Sequence, residues 1–208
     1  MNPNRLHNKH QGETCVIIGN GPSLANVSNE SLAAFPSFGT NRIYLKNFIP
    51  TYYVAVNPLV LSQFYTDIAA MQCDKFVSIP IEGAHILRSM KTPLFSYNPL
   101  DWVYEGHTVT FVAMQLAFFM GFQEVRLVGV DHKYQFIGEP NERHTLKGSD
   151  PNHFHADYFS NKEWHNPDLQ RSEHAYGLAK KAFEDVGRRI VNCTPESALE
   201  VFPREEWI

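Results

Sequence analysis

The chain has 208 residues, 43% of them hydrophobic, and a formal net charge of −4. That length suits one domain, 1–208, with its own core, since a chain of this size buries roughly 70% of the surface its unfolded form exposes. There is no broad basic field for a nucleic-acid backbone and no run of the ~18 apolar residues that a spanning helix needs, and Cys15, Cys73 and Cys193 suit thiols in a reducing compartment better than a disulfide framework.

A cytoplasmic protein is therefore expected, with no membrane span. Residues 1–13 are polar and lack an apolar leader, so they are expected to be flexible. From there short apolar runs alternate with helical stretches, the pattern of a mostly parallel sheet with helices on both faces. Strands are expected near 14–18, 37–40, 52–56, 75–79, 94–97, 124–130 and 189–193, giving a Rossmann-like α/β fold of about seven strands. Helices are expected near 29–35, 59–71, 84–89, 108–120 and 171–187. The run from Thr108 to Gly121 is apolar nearly all round, with Thr108 placed to cap it and Gly121 to stop it, so it should be a central buried helix. The last helix carries Ala175, Leu178, Ala179, Ala182, Phe183 and Val186 at helical spacing, so one face should pack on the sheet. Between strand six and this helix, residues 131–170 show little periodicity. Six of the ten histidines fall at or just beyond this segment (His132, His144, His153, His155, His165 and His174), and its aromatic residues point to an ordered lid.

In an open α/β sheet, ligands bind beyond the carboxyl ends of the strands. Strand one ends in Gly19, Asn20, Gly21, Pro22 and Ser23, where glycines let backbone N–H groups approach an anion and a helix N-terminus attracts phosphate. Strand two ends at Asn41, where a dinucleotide-binding domain would place an acidic residue for the ribose; an amide there counts against an ordinary dehydrogenase. Strand three ends at Asn57-Pro58, readable either as a turn starter or as a ligand contact. Strand six ends in Asp131 and His132. Asp131 is a candidate Mg²⁺ ligand or base and alternatively a turn cap, and His132 is a candidate proton relay. His153, His155 and Asp157 superficially suggest zinc but lack further ligands at the usual spacing, so His153, His155, His165 and His174 are read as acid–base candidates, unranked. Arg42, Lys46, Arg143 and Lys147 are candidates to meet phosphate charge. Neither a GxSxG elbow nor a GxxxxGK[ST] loop is present, which sets aside α/β-hydrolase and P-loop readings.

VIIGNGPSL, TNRIYL, AVNPLV, TVTFVAMQLAFFMGFQEVRLVGVDHKY, DPNHFHADYF and VNCTPESALEVFPR together resemble the 6-hydroxymethylpterin diphosphokinase-like (MptE-like) family over about residues 14–204. That family includes archaeal enzymes that transfer diphosphate from ATP to a pterin alcohol, and its domain type occurs in bacterial motility-associated factors that glycosylate flagellin. GNGPSL, the Asn after strand two and the Asn-Pro after strand three are also similar to bacterial sialyltransferases that use CMP-sialic acid. This second resemblance implies that Asn20 and Asn41 contact a CMP-type donor. The chain departs from the sialyltransferases ahead of the central helix, where Gly106, His107, Thr108, Val109 and Thr110 replace their Arg and Ser-Gly. It departs again near their catalytic His, where only His165 and His174 stand in the region.

The expected function is a nucleotide-dependent transferase, foremost a glycosyltransferase using a CMP-type sugar donor in surface-glycan synthesis. The alternatives are an ATP-dependent diphosphokinase with Mg²⁺ on Asp131, and a non-catalytic nucleotide-binding module. A small-molecule or glycan acceptor is expected, nucleic acid is not, and a homo-oligomer is compatible with the sequence.

Overall fold

The computed structural model describes residues 5–207. Seven strands form one parallel sheet: β1 (Thr14–Ile18), β2 (Ser37–Thr40), β3 (Tyr52–Ala55), β4 (Asp74–Val77), β5 (His85–Ile86), β8 (Glu124–Val128) and β11 (Arg189–Asn192). Their order across the sheet is β11-β8-β1-β2-β3-β4-β5. The chain leaves β1 toward β2, β3, β4 and β5 on one side and later returns to lay β8 and β11 on the other. The winding direction thus changes between β1 and β8, which pair along their whole length from Thr14 with Glu124 to Ile18 with Val128. Ligand crevices of such sheets open at this point. Two short pairs lie outside the sheet: β6 (Ser89–Met90) with β7 (Val103–Tyr104), and β9 (Arg143–Thr145) with β10 (Glu163–His165).

Strand alternation divides the core into two layers. Cys15, Ile17, Phe38, Tyr52, Val54, Phe76, Val125 and Leu127 face α4 (Val109–Phe119) and α5 (Leu169–Glu184). Val16, Ile18, Tyr53, Ala55, Val77 and Val128 face the other way. They pack with α1 (Asn29–Ala33), α2 (Pro58–Gln63), α3 (Tyr65–Ala70) and the aromatic side chains Tyr158, Phe159 and Trp164. With helices on both faces, the strands have no polar side, which is why they read as continuous apolar runs. As expected, α4 is central and buried on nearly every side, and Gly121 at its end has φ 90°. Its cap differs from expectation: Thr108 makes no side-chain cap bond, and its hydroxyl lies 3.2 Å from the Tyr176 hydroxyl.

Other expectations are corrected. The helix expected over 59–71 is two, broken at Phe64 (φ −123°, ψ 24°). The helix expected over 84–89 is instead strands β5 and β6, and 94–97 is no strand, so β5 supplies the seventh strand of the sheet. Residues 94–97 are held from the side: Phe95 packs edge-on against Phe111 and Phe118, and the Ser96 N–H donates to buried Gln115 Oε1 at 3.1 Å. Of the segment expected to be flexible, 1–4 lie outside the described residues. The rest is tied to the end of α4, where the N–H groups of Asn8, His10 and Gly12 donate to the carbonyls of Phe119, Met120 and Gly121. No helix among the described residues is long and apolar enough to cross a membrane.

Candidate functional site

A cavity of about 640 Å³ opens at the carboxyl ends of the strands, where the winding changes direction. Gly19 and Asn20 after β1, Thr40 and Asn41 at β2, Asn57 after β3, and Gly129 and His132 after β8 all line it, together with the N-terminal turns of α4 and α5.

The glycine loop has a different use from the expected phosphate cradle. Gly19 and Gly21 donate their N–H groups to the Val128 and Gly129 carbonyls, both at 2.8 Å, joining the loop to the end of β8. The chain then enters a 3₁₀ turn over Pro22–Asn26, and Asp131 takes the anion's place at its N-terminus. Ser23 donates its N–H to Asp131 Oδ1 at 3.1 Å and its hydroxyl to Oδ2 at 2.7 Å. A Cβ added at Gly21 would overlap that carboxylate, which gives this glycine a packing role. Gly21, Ser23 and Asp131 are accordingly not among the cavity residues. Of the roles expected for Asp131 (base, Mg²⁺ ligand or turn cap), its two bonds from Ser23 fit the cap, and the described residues contain no group of three or more His, Cys, Asp or Glu arranged to hold a metal ion.

The amides do converge on the cavity. Asn20 is 9% exposed, and its Nδ2 donates to the Thr40 carbonyl at 3.1 Å and to Thr40 Oγ1 at 2.8 Å. The Thr40 hydroxyl is itself committed as donor to the Ile18 carbonyl at 2.9 Å, so both amide hydrogens of Asn20 are spent and the amide orientation is fixed. Asn20 Oδ1 is left buried without a partner, and so is Asn41 Oδ1. Asn57 uses Oδ1 to cap α2 through the Leu59 N–H at 2.9 Å and turns Nδ2 toward His165 Nδ1 at 3.4 Å. A further amide, Asn166, escaped sequence reasoning. It lines the cavity at 2% exposure, its Nδ2 donates to the Ile137 and Glu139 carbonyls, and its Oδ1 is likewise buried without a partner.

Three of the five expected histidines line the cavity. His132 is buried and strained at φ 55°, with Nε2 3.0 Å from Glu173 Oε1. His165, on β10, has its pKa held below the ordinary 6.5 by burial first and then by the Arg143 charge, with Glu163 opposing. The other two stand outside. His174 projects from the exposed face of α5, one residue before buried Ala175 and Tyr176, and His155 turns its Nδ1 to the Asp157 N–H at 3.2 Å. The third is His153, read in the sequence together with His155; the structure adds His107, which sequence reasoning did not put forward as an acid–base group. His107 Nδ1 lies 3.7 Å from Asp168, whose carboxylate caps α5 through the Arg171 N–H and accepts from Asn141 Nδ2 at 2.9 Å. Four non-glycine cavity residues, Asn41, His107, His132 and Asn141, have left-handed backbones at φ 47–66°. Strain of this kind concentrates at binding and catalytic sites.

Of the basic candidates, Arg42 is structural. Its guanidinium lies 3.9 Å over the Phe64 ring and donates to Tyr44 Oη and the Asp157 carbonyl. Arg143 pairs with Glu163. Neither these two nor Lys46 and Lys147 are cavity residues, whereas Lys91 and Arg171 are.

No protein-family model matches the chain, and no curated protein matches it. The chain is similar in structure to a MAf glycosyltransferase from Magnetospirillum magneticum AMB-1, at 15% identity and a TM-score of 0.57 over 96% of this chain and 35% of that one. It thus spans about a third of that protein's length. It is also similar to the sialyltransferase CstII from Campylobacter jejuni, solved with cytidine-5'-monophosphate, at 13% identity and a TM-score of 0.51 over 93% of this chain and 85% of that one. At these identities the likeness is one of fold, Rossmann-like α/β.

Proposed function

We propose that this chain is a nucleotide-dependent transferase of the glycosyltransferase type, using a CMP-type sugar donor bound where β1, β2 and β8 end. The observation that carries the reading is the set of partnerless amide oxygens of Asn20 and Asn41 at the change of winding. A buried acceptor left unpaired costs about 1–3 kcal/mol, and such a group in a native fold calls for a ligand or water that donates to it. A nucleoside brings such donors as ribose hydroxyls and the exocyclic amine of cytosine. The donor phosphate would lie toward the N-terminus of α4, where Thr108 leaves the first turn without a side-chain cap and Lys91 and Arg171 stand on the same cavity. Asn166 and Asp168, which also line the cavity, would accept hydrogen bonds from acceptor hydroxyls. The structural neighbours support this reading, since one is called a glycosyltransferase and the other was solved with CMP.

On this reading the protein works in the cytoplasm on a glycan or glycan precursor, and imidazoles of the cavity handle the proton of the acceptor hydroxyl. Titration calorimetry with CMP, CDP, UDP, and ATP with and without Mg²⁺ tests it, followed by an assay of CMP release from CMP-sugars. CMP binding with turnover is expected. Binding of ATP–Mg²⁺ in place of the cytidine and uridine nucleotides would replace the reading by diphosphate transfer, and CMP binding without turnover on any CMP-sugar would reduce it to a binding module.

A further inference from the structure

Asp150 lies in the segment before β10, and its side chain is 1% exposed. Three donors converge on the carboxylate: the Asn152 N–H on Oδ1 at 2.8 Å, and the Phe159 N–H at 3.1 Å and His153 Nδ1 at 2.8 Å on Oδ2. A carboxylate offers only acceptors, so the imidazole proton sits on Nδ1, and the neutral ring carries its lone pair on Nε2. The ring is held flat against Tyr158, with centroids 4.0 Å apart and planes 2° from parallel, and Phe159 closes its edge at 5.3 Å. His153 lines the cavity and Asp150 does not, so the carboxylate stands behind the imidazole at the cavity wall. The next residue, Phe154, donates its N–H to the Asn20 carbonyl at 3.0 Å, which sets this pair beside the amide assigned to the nucleotide.

The other two expected imidazoles on the cavity are wired differently. Asn57 Oδ1 is committed to the Leu59 N–H, so its Nδ2 donates toward His165 Nδ1 and leaves the His165 proton on Nε2, as a donor. His132 has Nε2 against Glu173, a half-exposed carboxylate.

We propose that His153, oriented by Asp150, is the base that deprotonates the acceptor hydroxyl, an assignment that rests on the transferase reading above. Nε2 takes the hydroxyl proton as the acceptor oxygen bonds to the anomeric carbon of the donor. The bond from that carbon to the donor phosphate oxygen breaks, its electron pair leaves with the nucleotide phosphate, and the imidazolium returns its proton to solvent. The geometry is that of a buried carboxylate fixing one imidazole tautomer, an arrangement that hydrolases use on unrelated folds.

The test uses the whole chain and CMP-sialic acid as probe, followed as CMP release, with CMP affinity measured separately. His153→Gln should keep CMP affinity within about threefold while lowering turnover about 100-fold or more and removing the acidic limb of the pH–rate profile. Long-range ¹H–¹⁵N spectra of the wild-type protein, which need no variant to fold, should show His153 protonated on Nδ1, and Asp150→Asn should move that proton to Nε2. A wild-type His153 protonated on Nε2 overturns the proposal. So does a His153→Gln protein with turnover within tenfold of wild type, or a comparable loss in His132→Gln alone. A wild-type protein that neither binds CMP nor releases it from the donor overturns the transferase reading and the base role with it, an outcome distinct from a working enzyme that ignores His153.

Discussion

Replacing Asn41 by glycine should stabilise the empty protein and weaken its nucleotide binding. Asn41 Oδ1 is buried with no partner, and no hydrogen bond from its side chain occurs among the described residues. Its main-chain bonds, N–H to the Val54 carbonyl at 3.3 Å and carbonyl from Tyr53 Oη at 2.7 Å, survive the change. The backbone sits at φ 47°, which glycine adopts freely. Removing the orphan oxygen recovers about 1–3 kcal/mol, and the extra freedom of glycine in the unfolded chain costs about 0.5–1 kcal/mol, so the net gain is about 1 kcal/mol. In a chain of this size that raises Tm by about 2–4 °C, measured by differential scanning calorimetry. If Oδ1 receives a donor from the nucleotide, its loss costs about 0.5–1.5 kcal/mol of binding, up to about tenfold in Kd, measured by titration with CMP. A gain in stability coupled to a loss of affinity is what a preformed binding group predicts. A lowered Tm would show that the amide is a structural strut, and an unchanged CMP Kd would show that the nucleotide does not use it.

Asp131→Ala should lower stability by about 1–3 kcal/mol in urea unfolding, through loss of the two Ser23 bonds, and leave CMP affinity within about threefold; a collapse of affinity would return Asp131 to the site. Arg42→Ala strips the bond to the Asp157 carbonyl and the stack on Phe64, so hydrogen exchange should quicken across 150–160 before the sheet responds, whereas uniform exchange would refute that local role. Because burial holds the pKa of His165 below 6.5, the unfolded chain binds more protons than the native one as pH falls through that value. Stability should therefore be level above about pH 6.5, decline below it, and decline less steeply in His165→Gln, as followed by Tm against pH.

Much of the fold was legible because strand and helix periodicity are local. Residues 14–18, 37–40 and 189–192 are strands because apolar, β-favouring side chains are covered on both faces, and that coverage shows as unbroken hydrophobicity. The exceptions lie where short apolar runs meet proline and glycine. Over 84–97 the periodicity does not separate helix from strand, and packing against α4 and the Gln115 amide decided the outcome.

For the candidate site, the sequence by itself determined that Asn20, Asn41 and Asn57 stand at the ends of adjacent strands, because a parallel sheet delivers every strand's carboxyl end to one edge. Only the tertiary structure decided what each polar group is free to do. Asp131 is spent on Ser23, 108 residues away, while Asn20 Oδ1 is free because Thr40 takes both hydrogens of its amide. Among the histidines, chain position did not rank His153, His155, His165 and His174, but packing turned His155 and His174 out of the cavity and set His153 into it against a buried carboxylate. Hydrogen-bond partners are assigned by long-range packing, and no local pattern of residues records that assignment.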